Sequence, residues 1–443
     1  MTLIFDIGKT NKKVFLFDHD FNIVHEETQR FSEIKDEDGD PCDDLQSLIT
    51  WVNETLQNLL SKREYRIEAI NFSSFGASFV HIDELGNPIL PLYSYLKPLS
   101  PALKKKFFDD YGGEEKISRE TASPVLDSLN SGLQLYRLKY EKSLTEKQGY
   151  SLHLPQFLSY LVTRKPYSDI TSVGCHTMLW HFEKNDYHQW VHREGVHKRL
   201  APIYPSFQLL DADARWGIVK AGIGVHDSSS AIIPYLATFR EPFALISTGT
   251  WSISLNPFNQ VPLTDEELKQ DCLSFLSYRK KPVKASRLFA GNEHEQNEKR
   301  IADHFQKGKG FFNTVSYDAG IVHSLKEKFP QDLRTSFEPG PSMFRERDVR
   351  QYASYEEAYH QLMMDIIAQQ VLSTNLVLNN VAVRKIFVDG GFSRNKVYMN
   401  LLSDAYTGYE VYAASVAQAS ATGAALAIHS GAVPDNLVKV ERY

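Results

Sequence analysis

Short apolar segments alternate with longer amphipathic ones through the first third of the chain. Thr2–Ile7 is almost continuously apolar, and residues 13–18 place apolar side chains on two opposite faces. Together with residues 23–31 they predict three consecutive strands, because successive side chains of a strand point to opposite faces. Helical spacing over residues 45–60 and an apolar run at 67–73 predict a helix and a fourth strand. This order predicts a sheet covered by helices.

A hairpin pattern occurs twice along the chain. Residues 5–10 and 246–250 each lead from apolar residues into a turn rich in glycine and threonine, and apolar residues follow both turns. The repeat predicts two related domains that face one ligand. We place the first domain at residues 1–238, with residues 118–201 as a helical insertion, and the second at residues 239–443.

The second half of the chain repeats the alternation after a charged segment. We expect this segment, residues 280–309, to be exposed. Helical spacing over residues 355–379 is followed by a strand at 385–389, a glycine pair and another helix. An alanine-rich segment, residues 417–429, predicts the last helix, which ends before Gly431.

Composition narrows the class of protein. A chain of 443 residues, 42% of them hydrophobic, can form two large domains with a cleft that binds small molecules. The net charge of −6 and the lack of long basic runs argue against nucleic acid or a membrane surface as partner. Three scattered cysteines predict neither a disulfide framework nor a paired zinc site. We expect a cytoplasmic protein with no signal peptide and no membrane-spanning segment.

Both hairpin turns carry groups that can hold phosphate, namely backbone N–H groups, hydroxyls and amides. The candidates are Gly8, Lys9, Thr10, Asn11 and Lys12 in the first turn, and Thr248, Gly249 and Thr250 in the second. Either turn alone could be a plain β-turn. A P-loop is excluded, because that motif requires glycine at the position of Leu3.

Two aspartates are candidates for the chemistry. Asp6 ends an apolar strand, where a carboxylate needs a cation or hydrogen bonds, and Mg²⁺ held through water suits a site beside phosphate. The alternative is an aspartate that caps a turn. Asp227 follows a glycine-rich segment and precedes small residues, so its carboxylate could accept the proton of a sugar hydroxyl during phosphoryl transfer. The alternative is a helix N-cap.

A glycine pair and a group of histidines complete the candidates. Gly390 and Gly391 would let adenine or phosphate approach the backbone, with Asn395 at the next helix start, although a β–α loop without function is the alternative. The histidines raise the question of a metal site: His176, His181, His188, His192 and His197. No glutamate joins them in a zinc-protease pattern, so their spacing does not favour a metal site.

In order and spacing, four motifs resemble those of the FGGY carbohydrate kinases. Residues 6–11 and 247–251 resemble the two phosphate hairpins, residues 224–231 the segment around the catalytic aspartate, and residues 389–395 with 417–426 the adenosine region. The resemblance covers nearly the whole chain. It implies an α/β fold of two ribonuclease H-like domains with a cleft between them, as in the actin/hexokinase/Hsp70 superfamily.

Within that family the chain is most similar to rhamnulokinase and L-fuculokinase. The similarity lies in residues 226–231, in residues 247–252 and in the middle segment from Leu154 to Leu179. It implies ATP-dependent, in-line transfer of the γ-phosphate to a terminal hydroxyl of a ketose such as L-rhamnulose or L-fuculose, with Asp227 as general base. It also implies Mg²⁺ bound through water by Asp6 and Asp227, and a sugar near Gly76, Ala77, Ser78 and Asp227.

Two departures from the family pattern bear on these expectations. Tyr95-Leu96-Lys97 stands where many relatives have Asp-x-Arg, on the substrate side, and Gln418 stands where an acidic residue is frequent, on the nucleotide side. A kinase of xylulose, ribulose or another ketose or polyol is therefore an alternative. So are another enzyme on the same superfold and a regulatory protein that responds to nucleotide or sugar. A homodimer is the common default for such chains, and the sequence leaves the oligomeric state open.

Overall fold

The computed structural model describes residues 1–141, 143, 148–332 and 334–443, and it divides into two compact units. Unit 1 comprises Met1–Arg240, Ser274–Lys281 and Ala417–Leu437, and unit 2 comprises Glu241–Leu273, Pro282–Val416 and Val438–Tyr443. The first passage between the units lies near the predicted boundary after residue 238. The chain then returns to unit 1 twice, a feature that the prediction of two consecutive domains does not include.

The elements up to residue 240 all belong to unit 1. Its strands are β1 (Thr2–Ile7), β2 (Lys12–Phe17), β3 (Ile23–Gln29), β4 (Ile34–Lys35), β5 (Pro41–Asp43), β6 (Ala69–Ser74), β7 (Phe79–Asp83), β8 (Leu92–Tyr93), β9 (Gln148–His153), β10 (Trp180–His181), β11 (Asp186–Tyr187), β12 (Leu210–Asp211), β13 (Lys220–Ala221) and β14 (Val225–His226). Its helices are α1 (Leu45–Ser61), α2 (Pro101–Tyr111), α3 (Glu114–Glu120), α4 (Ser131–Tyr140), α5 (Leu154–Thr163), α6 (Ile170–Val173), α7 (Gln189–Arg193), α8 (Asp227–Ala231) and α9 (Ile233–Thr238).

The remaining elements follow in chain order. The strands are β15 (Phe243–Thr248), β16 (Ser252–Asn256), β17 (Cys272–Leu276), β18 (Pro282–Leu288), β19 (Lys385–Gly390), β20 (Glu410–Ser415) and β21 (Lys439–Arg442). The helices are α10 (Asp265–Lys269), α11 (Ala290–His304), α12 (Ala319–Lys328), α13 (Tyr355–Leu378), α14 (Lys396–Ala405) and α15 (Ala419–Ala427). Helix α15 belongs to unit 1.

The main sheet of unit 1 brings three parallel strand ends to one edge. Its seven strands lie in the order β12-β13-β6-β1-β2-β3, and β14 also pairs with β6. Strand β1 runs antiparallel to β2 and parallel to β6, with Asp6 opposite Ser73. Strand β14 runs parallel to β6 and places Val225 opposite Ser73. The carboxyl ends of β1, β6 and β14 therefore meet, and such edges commonly bind ligands in α/β sheets.

Alternate residues of β1 belong to two different cores. Phe5 joins the cluster that α1 completes with apolar residues at helical spacing, such as Val52 and Leu56. Ile4 joins the cluster that contains the alanines of α15. Small side chains let α15 approach helix α8 closely, since a Cβ atom on Gly423 would lie 1.9 Å from the carbonyl oxygen of Ser230. Both faces of the sheet are thus covered by helices, as the apolar pattern predicts.

The sheet of unit 2 has the same central arrangement. Six strands that lie wholly in unit 2 follow the order β18-β16-β15-β19-β20-β21. Strand β15 runs antiparallel to β16 and parallel to β19, as β1 does to β2 and β6. Helix α13 supplies much of the core, with Tyr359, Leu362 and Ile366 buried. The prediction of two related α/β domains of ribonuclease H type is confirmed, and the repeated hairpin is the feature that indicated it.

The charged segment, residues 280–309, is not the exposed stretch that its composition predicts. It contains β18 and the amphipathic helix α11, in which Ala290, His294 and Ile301 recur on one buried face. Even Glu298 on this face is buried, and its carboxylate accepts a hydrogen bond from the hydroxyl of a tyrosine on α13. The prediction from charge content overlooked the helical spacing of the buried residues of α11.

The predicted helical insertion at residues 118–201 contains helices and short strands. Helices α4, α5, α6 and α7 lie there, and β9 pairs with β7 while β10 pairs with β11. In the described part of the chain, none of the helices combines the length and apolar character that crossing a bilayer requires.

Candidate active site

The carboxylate of Asp6 lies at the edge where the three parallel strands end. Burial and the charge of Asp227 raise the pKa of Asp6 to about 6, against the opposing effects of hydrogen bonds from Ser73 and Ser420 and of the Lys13 ammonium. Two carboxylates so close together repel each other, and a divalent cation with oxygen ligands relieves that repulsion. The donor set therefore fits Mg²⁺ in its chemistry.

Asp227 is the first residue of helix α8, not the residue before it. The N-cap is His226, whose Nδ1 accepts the backbone N–H of Ser228 at 3.2 Å. The same N–H lies 2.6 Å from Asp227 Oδ1, which holds the carboxylate in place. The Asp227 side chain is 35% exposed, so its second oxygen can meet a substrate hydroxyl. The N-cap alternative for Asp227 does not describe this geometry.

The first hairpin turn is tightened by protein contacts. The N–H of Gly8 donates to the carbonyl oxygen of Asn11 at 2.9 Å. Lys9 Nζ lies 2.7 Å from Asp43 and 2.8 Å from Glu33; burial lowers the pKa of Lys9, but these carboxylates outweigh it and the net shift is upward. Both predicted phosphate-binding lysines have protein partners, because the buried Lys12 ammonium donates to the Lys9 carbonyl at 2.8 Å.

The predicted sugar-binding loop lies beside His226. A Cβ atom on Gly76 would stand 2.4 Å from Cδ2 of the His226 ring, so only glycine allows this approach. Ala77 accepts a hydrogen bond from Gln134 through its carbonyl oxygen at 2.6 Å. Ser78 is fully buried and its hydroxyl donates to the carbonyl oxygen of Tyr93 at 2.8 Å. Among these three residues only Ser78 has a polar side-chain group, and that hydroxyl is already engaged in a hydrogen bond within the protein.

In unit 2, the second hairpin and the end of β19 form one structure. The carbonyl oxygen of Thr248 accepts the N–H of Gly391 at 3.0 Å, and its hydroxyl accepts the N–H of Phe392 at 3.0 Å. Gly390 has φ +88°, and a Cβ atom there would lie 1.9 Å from the Thr248 carbonyl oxygen. Gly391 has open space at its Cβ position, and Gly249 is exposed. Exposed backbone with room beside it fits a nucleotide phosphate or base.

Asn395 acts as the N-cap of α14. Its Oδ1 accepts the N–H of Tyr398 at 3.0 Å, and its Nδ2 donates to the Tyr359 hydroxyl at 2.6 Å.

A cavity of about 480 Å³ also lies in unit 2, and sequence reasoning missed it. Its wall includes Trp251, whose ring lies tilted at 39° against that of Phe289 with centroids 4.5 Å apart. In the sequence, the tryptophan directly after the Thr248-Gly249-Thr250 turn was the available signal.

The departure at residues 95–97 has a structural explanation. Lys97 Nζ lies 2.6 Å from Asp36, 2.7 Å from Asp38 and 3.2 Å from Asp40, so it neutralises the acidic loop, residues 36–40. Lys97 is therefore part of the framework of unit 1. Tyr95 packs edge-on against Phe75 with ring centroids 5.7 Å apart, next to the Gly76 loop.

Both halves of the chain match models of one protein family. Residues 1–206 match the model of the FGGY family of carbohydrate kinases, N-terminal domain, and residues 240–435 match that of carbohydrate kinase FGGY, C-terminal domain. A search of curated protein sequences gave no match.

Solved structures share the fold. A carbohydrate kinase from Novosphingobium aromaticivorans is 21% identical with a TM-score of 0.80, covering 99% of this chain and 95% of that one. A ligand-bound xylulose kinase from Lactobacillus acidophilus is 15% identical, with a TM-score of 0.75 and coverage of 97% and 89%. Plasmodium falciparum glycerol kinase with ADP is 16% identical, with a TM-score of 0.68 and coverage of 96% and 89%.

Proposed function

The chain belongs to the FGGY family of carbohydrate kinases, and from that premise we propose that it phosphorylates a terminal hydroxyl of a ketose with Asp227 as general base. One observation carries the proposal. Asp6 and Asp227 lie at the ends of parallel strands on the two sides of β6, close enough that the charge of Asp227 raises the pKa of Asp6. This pair offers one accessible carboxylate for a proton and a second for a cation.

The chain's own residues perform three tasks in this mechanism. Asp227 orients the acceptor hydroxyl and takes its proton as the new P–O bond forms. Within unit 1, the hydroxyl of the exposed Thr10 can hold a phosphate oxygen. Within unit 2, the hydroxyl of the exposed Thr250 can do the same and Gly391 leaves room for the nucleotide, whereas the N–H of Gly249 already donates to the Trp251 carbonyl at 2.8 Å. Asp6 and Asp227 would hold Mg²⁺ through water, and the ion would supply neutralisation of phosphate charge.

The sugar is proposed at a finer level from the motifs around Asp227. The resemblance favours L-rhamnulose and L-fuculose. Xylulose belongs in the comparison because a xylulose kinase shares the fold at a TM-score of 0.75. The loop at Gly76 supports a site for a small molecule here, since it packs directly on the histidine that precedes the base. Which hydroxyls meet which side chains decides among these ketoses.

The experiment measures ADP formation with Mg·ATP against a panel of ketoses, polyols and aldoses, with a no-sugar control. We expect strong stimulation by one ketose, and a loss of turnover of about 10²–10⁴-fold in Asp227→Asn, because general base catalysis contributes that factor. Asp211→Asn is the matched control, since it removes an exposed carboxylate of unit 1 whose ion pair with Lys220 lies on the surface.

Each other outcome points to a different alternative. An unchanged rate in Asp227→Asn would remove the assignment of the base. ADP formation that no sugar stimulates would favour an ATPase or another enzyme on the same superfold. ATP binding without turnover on any compound of the panel would favour a regulatory protein.

A further inference from the structure

Three side chains that commonly bind metals meet in unit 1, and one of them is the histidine that caps helix α8. Cys175, His176 and His226 each place a ligand atom within 4.8 Å of those of the other two. Cys175 and His226 are buried and His176 is partly exposed, so the group is reachable from one side. The rings of His176 and His226 stand almost perpendicular, at 85°, with centroids 6.0 Å apart.

The backbone around this group is held by several hydrogen bonds. Cys175 and His176 follow α6, and Thr171 of that helix accepts the N–H of His226 through its hydroxyl at 2.9 Å. Cys175 forms a β-bridge with Phe275 of the same unit. The segment with Cys175 and His176 is therefore fixed next to His226, which lies 50 residues further along the chain. A preformed set of metal ligands requires such fixed positions.

His176 also has an unusual backbone conformation. Its φ of +40° lies in the left-handed region, which residues other than glycine rarely adopt. Such conformations cost about 1–3 kcal/mol and persist where the surroundings enforce them, often at functional sites. This backbone conformation occurs at the partly exposed member of the cluster.

The other histidines of the group have different surroundings. His188 Nε2 lies 2.7 Å from a carboxylate oxygen of Glu120, and the ring of His181 stacks on it with centroids 5.6 Å apart. His192 and His197 contact each other with centroids 4.8 Å apart. Within the described residues, the histidine group thus contributes one member to the cluster, and its two partners come from Cys175 and from the active-site segment.

We propose that Cys175, His176 and His226 bind one thiophilic divalent transition-metal ion such as Zn²⁺, and that its binding inhibits phosphoryl transfer. Two imidazoles and a thiolate suit Zn²⁺, and three protein ligands leave a fourth position for water. The Cys175 thiol loses its proton to solvent as the sulfur–metal bond forms. The hard, oxygen-binding Mg²⁺ is not expected at this set.

Inhibition follows from the neighbour of His226 and rests on the proposed function. Nδ1 of His226 lies 3.3 Å from Asp227 Oδ1. In the unbound chain Nδ1 accepts the N–H of Ser228, so metal binding through Nε2 moves the ring proton to Nδ1. Nδ1 then donates to the Asp227 carboxylate, a frequent kind of acceptor for a metal-bound histidine, while the N–H of Ser228 keeps its 2.6 Å bond to Asp227 Oδ1. The Asp227 carboxylate would then be engaged by His226 and less available to a substrate hydroxyl.

The binding test uses the full chain and Zn²⁺ alone, titrated against a competing chromophoric chelator. We expect one ion per chain, and at least about 100-fold weaker binding in Cys175→Ser and His176→Asn, because even outer hydrogen-bond partners of a metal ligand contribute about 10–100-fold. Asparagine tolerates the left-handed conformation, so His176→Asn keeps the backbone. Cys42→Ser and His197→Gln are matched controls that should bind like the wild type.

Titration with Co²⁺ tests the site without relying on any variant. Binding at Cys175 gives the wild-type protein a thiolate-to-cobalt absorption band. A wild-type chain that lacks this band, or equal Zn²⁺ affinity in all five proteins, would overturn the site.

Kinase assays then test inhibition separately. Zn²⁺ should inhibit the wild type and spare His176→Asn, and equal inhibition of both would refute the link to Asp227. Zn²⁺ binding by a chain that phosphorylates no sugar would refute the proposed function and leave the metal site standing.

Discussion

Asp6→Asn should make the protein more stable at pH 8 while it abolishes Mg²⁺-dependent turnover. In the folded chain, burial and Asp227 raise the pKa of Asp6 from 3.8 to about 6. Between these values the folded state binds more protons than the unfolded state, so stability falls as pH rises through this window. Above pH 6 the charged Asp6 carboxylate lowers the free energy of unfolding by the full amount that corresponds to its pKa shift. Asparagine carries no charge, so the variant does not have this loss.

The magnitude follows from the shift. A pKa change of about two units corresponds to about 3 kcal/mol, and partial solvent exposure at the strand end reduces this to about 2–3 kcal/mol. Asparagine still offers an oxygen to Ser73 and Ser420, so most of the gain should remain. We expect Asp6→Asn to exceed the wild type in free energy of unfolding by about 2 kcal/mol at pH 8 and to match it at pH 4.

Equilibrium unfolding in denaturant without divalent ions, from pH 4 to pH 8, measures this difference. Asp18→Asn is the control of opposite sign: hydrogen bonds from Asn22 outweigh a burial effect and hold the pKa of Asp18 below its usual value, so that variant should lose stability at pH 8. Added Mg²⁺ should stabilise the wild type and not Asp6→Asn, because only the wild type has the buried carboxylate. An Asp6→Asn chain no more stable than the wild type at pH 8 would refute the electrostatic reasoning.

Two further substitutions test the framework. Lys97→Met should lower the free energy of unfolding by about 3–5 kcal/mol, since it leaves a buried carboxylate of the acidic loop without its cation, whereas Lys105→Met, which breaks an exposed pair, should cost less than about 1 kcal/mol. Equal losses would show that the acidic loop does not need the lysine. Gly390→Ala should cost about 1–3 kcal/mol and weaken ATP binding, because its Cβ atom would meet a backbone oxygen at 1.9 Å, while Gly408→Ala, with open space, should stay within about 0.5 kcal/mol in unfolding experiments. Normal ATP binding by Gly390→Ala would contradict the role of the β19 turn.

Much of the fold was predictable because period and turn chemistry agree along the strands. Thr2–Ile7 alternates between two cores, and the helix predicted at residues 45–60 is Leu45–Ser61 in the structure. The charged helix Ala290–His304 was missed, because its apolar face contains a histidine and a glutamate that are buried through hydrogen bonds.

The candidate site was predictable only in part. Motif spacing selected Asp6 and Asp227, but it could not show that His226 caps helix α8 or that Gly76 packs on its ring. The Gly76 contact joins residues about 150 positions apart, and no local pattern encodes it. The cap is local, but histidine is not among the residue types that usually signal an N-cap. The roles of all candidate site residues, Asp6 and Asp227 included, stay predictions.

The sequence by itself determined the opening order of strands and the first helix, the repeated hairpin and the family, because each depends on local period, turn residues or motif spacing. Tertiary structure decided which charges meet. It paired Lys97 with the acidic loop instead of leaving it to a substrate, placed α15 in unit 1 and brought His226 to Cys175. A charge or a metal ligand acts over a few ångströms, so its partner is set by how strands and helices pack, and distance along the chain says little about it.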